Sequence, residues 1–229
     1  ADANVATGIV VSATGMTLTG ADLAKYSFSG AGAGSADITK KTVTVTPTSG
    51  LTKIYGDSDP TLTYTEDVAL ISGNTFTGAL ARTAGESVNT YAINAGNLSA
   101  GSNYDVVLAV APVTFAITQA PLTITAENKT KVYGATNPAL TVTYLGLVNS
   151  DSAPATQATV NRVAGETVAS SPYVITASGA VDGNYSISYV PGSFTITQAP
   201  LTITAENKTK VYGATDPALT VSYSGLVNS

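Results

Sequence analysis

The segment from Ile117 to Ser150 returns almost unchanged from Ile196 to Ser229, with thirty-one of thirty-four residues identical. The exceptions are Asn137, Thr143 and Leu145, which become Asp216, Ser222 and Ser224. A fixed offset of 79 residues constrains the fold more than any other feature. It requires a tandem array of small units, each closing a core of its own. Enzymes rarely need one unit several times in a row, whereas spacers and multivalent binders do.

A more diverged register extends the repeat. Lys53-Ile54-Tyr55-Gly56 through Pro60 aligns with Lys131 through Pro138 and with Lys210 through Pro217. Arg82-Thr83-Ala84-Gly85-Glu86 aligns with Arg162-Val163-Ala164-Gly165-Glu166, and Asn103-Tyr104 with Asn184-Tyr185. The expected division is the end of one unit at 1–40, complete units at 41–119 and 120–198, and the start of another at 199–229. Their junctions, at Thr39-Lys40-Lys41, Gln119-Ala120-Pro121 and Gln198-Ala199-Pro200, are short and stiffened by the two prolines.

Composition removes several function classes. Charged residues make up 11%, against roughly 25% in an average globular protein. Hydroxyl and amide side chains must therefore dress the surface. Ten Lys and Arg, a net charge of −5 and no basic cluster argue against nucleic acid as a partner. Cys and His are both absent, which removes disulfides, thiolate chemistry and the commonest general base. No Ser sits in a nucleophile elbow, so no catalytic residue and no cofactor is expected. The longest apolar run, Val106 to Val113, is too short to cross a bilayer, so no membrane insertion is expected in this segment.

Short runs alternate with a period of two. Val43 and Val45 alternate with Thr42, Thr44 and Thr46, Leu122 and Ile124 with Thr123 and Thr125, and Tyr185, Ile187 and Tyr189 with serines. Such runs make half-buried strands, punctuated here by Gly, Asn, Asp and Pro. The reading is all-β: tandem antiparallel β-sandwich-like modules of 79 residues, six or seven strands each. One short helical turn fits between Leu147 and Ala158, with Ser150 or Asp151 as its N-cap. Small α+β modules are the alternative.

Taken together, the LTITA start, the K-[IV]-Y-G-x-x-x-P turn, the GLVNS run, the RxAGE segment and the closing I-T strand resemble MBG repeat domains over residues 41–229. Residues 1–40 resemble the tail of the related YDG domain, although the Tyr-Asp-Gly motif itself is missing. The resemblance implies a non-catalytic, extracellular array in a large bacterial haemagglutinin-like adhesin. On that reading the chain is a structural stalk or filament segment, and its partners are neighbouring modules of the same long chain. Multivalent binding of a glycan or host protein is the alternative. Pairing of the two incomplete end modules between molecules would give head-to-tail self-association.

The recurring turn supplies the main candidate residues: Tyr55, Gly56 and Pro60, then Tyr133, Gly134 and Pro138, then Tyr212, Gly213 and Pro217. Their tyrosines would stack on sugar rings in a functional reading. In a structural one the ring covers the core edge, its hydroxyl is tied to backbone and Gly supplies a positive-φ turn. A fixed place in every unit favours structure. Asp57, Asp59, Glu66 and Asp67 form an acidic cluster that would suit calcium, but Ala135 and Asn137 replace the first two in the next repeat. Solvated turn residues explain the cluster better. Glu127-Asn128-Lys129 has the residue types of an isopeptide bond, but neighbours in one short segment lack the geometry for it.

Overall fold

The computed structural model describes residues 4–17, 19–27, 32–71 and 73–227. Asn228 and Ser229, which end the last Gly-Leu-Val-Asn-Ser run, lie outside the described residues. The chain forms two compact units, Ala1–Lys53 with Asp57–Ile117, and Ile54–Gly56 with Thr118–Ser229.

The first unit opens with an antiparallel hairpin, β1 (Ala6–Ser12) and β2 (Ala33–Ile38), with a single 3-10 turn at Leu23–Lys25 between them. A complete repeat follows as β3 (Lys41–Pro47), β4 (Thr52–Ile54), β5 (Tyr64–Glu66), β6 (Ala81–Arg82), β7 (Asn89–Asn94), β8 (Tyr104–Leu108) and β9 (Thr114–Thr118). One sheet has the order β5-β3-β8 and the other β4-β9-β7-β6.

The next repeat has the same plan. Its strands are β10 (Ala120–Ala126), β11 (Lys129–Val132), β12 (Val142–Leu145), β13 (Thr159–Arg162), β14 (Tyr173–Ser178), β15 (Tyr185–Val190) and β16 (Gly192–Thr197). Their orders are β12-β10-β15 and β11-β16-β14-β13, with β14 packed on β10 and β15 of the facing sheet. The chain then begins a third copy with the hairpin β17 (Thr202–Ala205) and β18 (Val221–Ser224).

These are all-β modules, and their sheets are mixed. Strand β10 runs antiparallel to β12 but parallel to β15, and β11 is likewise parallel to β16. In the first repeat β3 runs antiparallel to β5 and parallel to β8. A parallel neighbour needs a long crossover, and here the chain builds much of the second sheet before returning. Alternation places Val43 and Val45, then Leu122 and Ile124, on the inner faces, and all four have no exposed surface.

The helical turn expected between Leu147 and Ala158 is absent. Asn149 and Ser150 instead have φ of 55° and 66°, and the amide of Asp151 donates to the carbonyl of Val148 at 3.0 Å. Two consecutive positive-φ residues closing an i to i+3 bond make a tight primed-type turn. Asn tolerates that backbone better than most residues, and Pro154 bars any helix from extending through it.

Phe115 on β9 and Phe194 on β16 are the largest fully buried side chains. Phe194→Ala removes a whole ring from a small core, so about 3–5 kcal/mol of stability should be lost in urea unfolding.

Candidate functional site

The Lys of each recurring turn begins a cluster of charges at the edge of the core. Lys53 is 8% exposed, and its ammonium pairs with Asp59 at 2.7 Å and with Glu86. Arg82 grips Asp59 through Nε at 2.6 Å and Nη2 at 3.1 Å, and Glu86 through Nη2 at 2.7 Å. Its guanidinium also lies 4.9 Å from the ring centre of Tyr91 and 5.3 Å from that of Phe115. Arg suits this place because a planar cation stacks on rings while its edge donates to carboxylates.

The second repeat reproduces the cluster with one acid fewer. Lys131 and Arg162 both pair with Glu166, and Arg162 lies 4.5 Å from the ring centre of Phe194 and 5.7 Å from that of Tyr173. Asn137 stands where Asp59 stood, and in the third copy Asp216 restores a pair with Lys210. The glycine of each RxAGE segment makes room for the tyrosine. A Cβ on Gly165 would lie 2.1 Å from the Tyr173 ring.

The four acids considered for calcium are therefore engaged elsewhere or apart. Asp59 belongs to the cation cluster, and Asp67 accepts the Thr44 amide at 2.8 Å. Glu66 lies on β5 opposite Val45, while Asp57 is exposed. Among the described residues no group of three or more such side chains is placed to hold a metal ion. In the isopeptide candidate, Lys129 pairs with Glu127 at 2.9 Å, while the Asn128 carbonyl accepts from the Ser193 amide at 2.7 Å.

Tyr55 and Gly56 belong to the second unit although they lie in the first repeat's sequence. The Tyr55 ring is 8% exposed and meets Tyr185 edge-on, with centroids 5.5 Å apart. Its hydroxyl donates to Asp151 at 3.2 Å, a side chain of the next repeat's turn rather than the backbone. Tyr185 completes this socket. Its hydroxyl donates to Asp151 at 2.7 Å and accepts the Val148 amide at 3.0 Å. Burial, and then the neighbouring carboxylate, push the Tyr185 phenol up to about 12, so it stays a neutral donor.

Gly56 is required by contact as well as by conformation. Its φ is +92°, and a Cβ there would lie 2.5 Å from Cγ2 of Val148. Gly134 meets Val227 in the same way, with a Cβ placed 2.6 Å from Val227 Cβ and Cγ2. The same turn thus docks twice on the Gly-Leu-Val run that follows it. Pro60, Pro138 and Pro217 lie in irregular chain beyond each turn, where a fixed φ and a missing N–H do no harm. Sequence reasoning singled out the turn but missed Val148, Asp151 and Tyr185 as its receptors. The signal available was the Gly-Leu-Val-Asn-Ser run, kept between copies without a core role of its own.

The MBG domain (YGX type) family matches residues 43–114, 122–195 and 201–229. The chain belongs to that family. The Tyr-Gly turn described above is common to all three matched stretches of this MBG chain. No curated protein and no solved structure matches the chain.

Two outcomes follow for the MBG turn and its cation cluster. Gly56→Ala should cost about 2–4 kcal/mol in thermal or urea unfolding, because strain and the Val148 clash add. Gly213→Ala, which has open space around it, should cost only the backbone part, about 1–2 kcal/mol. The bond from Arg82 holds the Asp59 carboxyl down to about 2, below its ordinary 3.8. A lowered folded value means that this contribution is whole above about pH 4. It is lost as pH falls from there through about 2, and Asp59→Asn should flatten the acid limb of the stability curve over that window.

Proposed function

We propose that this chain is a segment of a structural stalk or filament of a bacterial secreted or cell-surface adhesin, with no catalytic role. The observation that carries the reading is the repeated docking of a Tyr-Gly turn on the following repeat, at Gly56 with Val148 and at Gly134 with Val227. A contact built from two segments that every copy carries can be extended by adding copies, which is what a spacer needs. Low charge and abundant hydroxyls suit a surface that resists non-specific contact.

Membership of the MBG family supports an extracellular location, and no helix among the described residues is long and apolar enough to cross a membrane. Residues 1–40 lie before the first family match, and we assign them to the tail of a YDG-like module that continues the array. The boundaries 41–119, 120–198 and 199–229 are proposed for the MBG-like modules. A multivalent glycan-binding role gains little from the turn, since the Tyr55 ring offers no open face to a sugar.

Single-molecule force spectroscopy on the tethered chain tests the mechanical role. Complete repeats of 79 residues should unfold in separate peaks, each releasing about 260–280 Å of contour length. Featureless extension at low force would remove the stalk reading, and saturable binding on a glycan array would replace it.

A further inference from the structure

The tyrosine of the turn forms a natural series across the three copies. Tyr55, which faces a complete following repeat, is buried, and Tyr133, which faces only the start of one, is half-buried. Tyr212 is fully exposed, and a Cβ on Gly213 would meet nothing within 4 Å. The backbone is nonetheless set in the docking conformation, because Gly134 and Gly213 share a φ of +84°. Tyr212-Gly213 is a formed plug without a socket.

The first repeat carries the complementary half. Tyr104 stands where Tyr185 stands, and its hydroxyl accepts the Ile71 amide at 2.8 Å, as Tyr185 accepts that of Val148. Asn74 closes the turn on the Ile71 carbonyl at 3.0 Å, as Asp151 closes the other turn on Val148. The Asn74 side-chain nitrogen donates to Ile71, and its amide oxygen, like the Asp151 carboxylate, is an acceptor suited to a phenol. Ile71 is 63% exposed, and with Asn74 and Tyr104 it lines a cavity of about 340 Å³.

We propose that the Tyr212-Gly213 turn of one molecule docks in the Ile71, Asn74 and Tyr104 socket of a second copy of this chain. Tyr212 then fills the place that Tyr55 fills beside Tyr185, and Gly213 lets the Ile71 side chain approach its backbone. Plug and socket are different surfaces, so the contact is heterologous and propagates head to tail. The inference extends the contact already present in the second unit and does not need the stalk reading.

Sedimentation velocity on the full chain over about 10–500 μM decides it. The weight-average sedimentation coefficient should rise with concentration for the unaltered chain and stay at the monomer value for Tyr212→Ala and for Ile71→Asp, each checked for unchanged circular dichroism. Mixing the two variants leaves one intact plug and one intact socket, so the mixture should form a dimer that grows no further. Association that persists in Tyr212→Ala, a mixture that stays monomeric, or an unaltered chain that is monomeric throughout would each overturn the proposal.

Discussion

A single phenol hydroxyl organises the outward face of the complete second repeat. Tyr185 begins β15 opposite Ala120, so the parallel pairing with β10 fixes where its ring enters the core. The ring is 2% exposed, which leaves the hydroxyl to satisfy groups that water no longer reaches. It does so by accepting from Val148 and donating to Asp151. Those bonds hold a turn whose residues Asn149 and Ser150 adopt backbone angles that few side chains tolerate. Without the turn, Tyr55 and Gly56 have nothing to dock on.

The second organising feature is the burial of cations rather than of acids. Arg82 and Arg162 keep their side chains 7% and 12% exposed, while their carboxylate partners reach water. A guanidinium between rings loses hydration but gains ring faces and fixed acceptors, which Lys could not use in the same way. This explains why Arg, Gly and Glu travel together in RxAGE. The glycine admits the tyrosine ring, the ring carries the arginine, and the glutamate neutralises it.

The strands were legible where alternation met β-branched residues. Thr42 to Thr46 and Leu122 to Thr125 lie within β3 and β10, with their Val, Leu and Ile inward. The Leu140 to Tyr144 run was less well bounded, since β12 spans Val142–Leu145. The segment after Leu147 was misread because Ser and Asp suit a helix cap and a tight turn equally. Of the candidate site, the sequence offered the plug and not the socket. Tyr-Gly stands out as a local motif, whereas Val148 and Tyr185 lie 37 residues apart and meet only across two elements of the fold.

The sequence by itself determined the tandem period, the absence of His and Cys chemistry, the all-β character and the inner face of the main strands. Each of these depends on local composition or on a period of two, which needs no knowledge of distant partners. Tertiary structure alone decided that β10 runs parallel to β15, that arginines stack inside the cores, and that a turn of one repeat is received by the next. The physical reason is that an alternating strand specifies which of its faces is buried but not which neighbour pairs with it, nor in which direction. Those choices are made by segments far apart in sequence, once the two sheets have closed over a shared core.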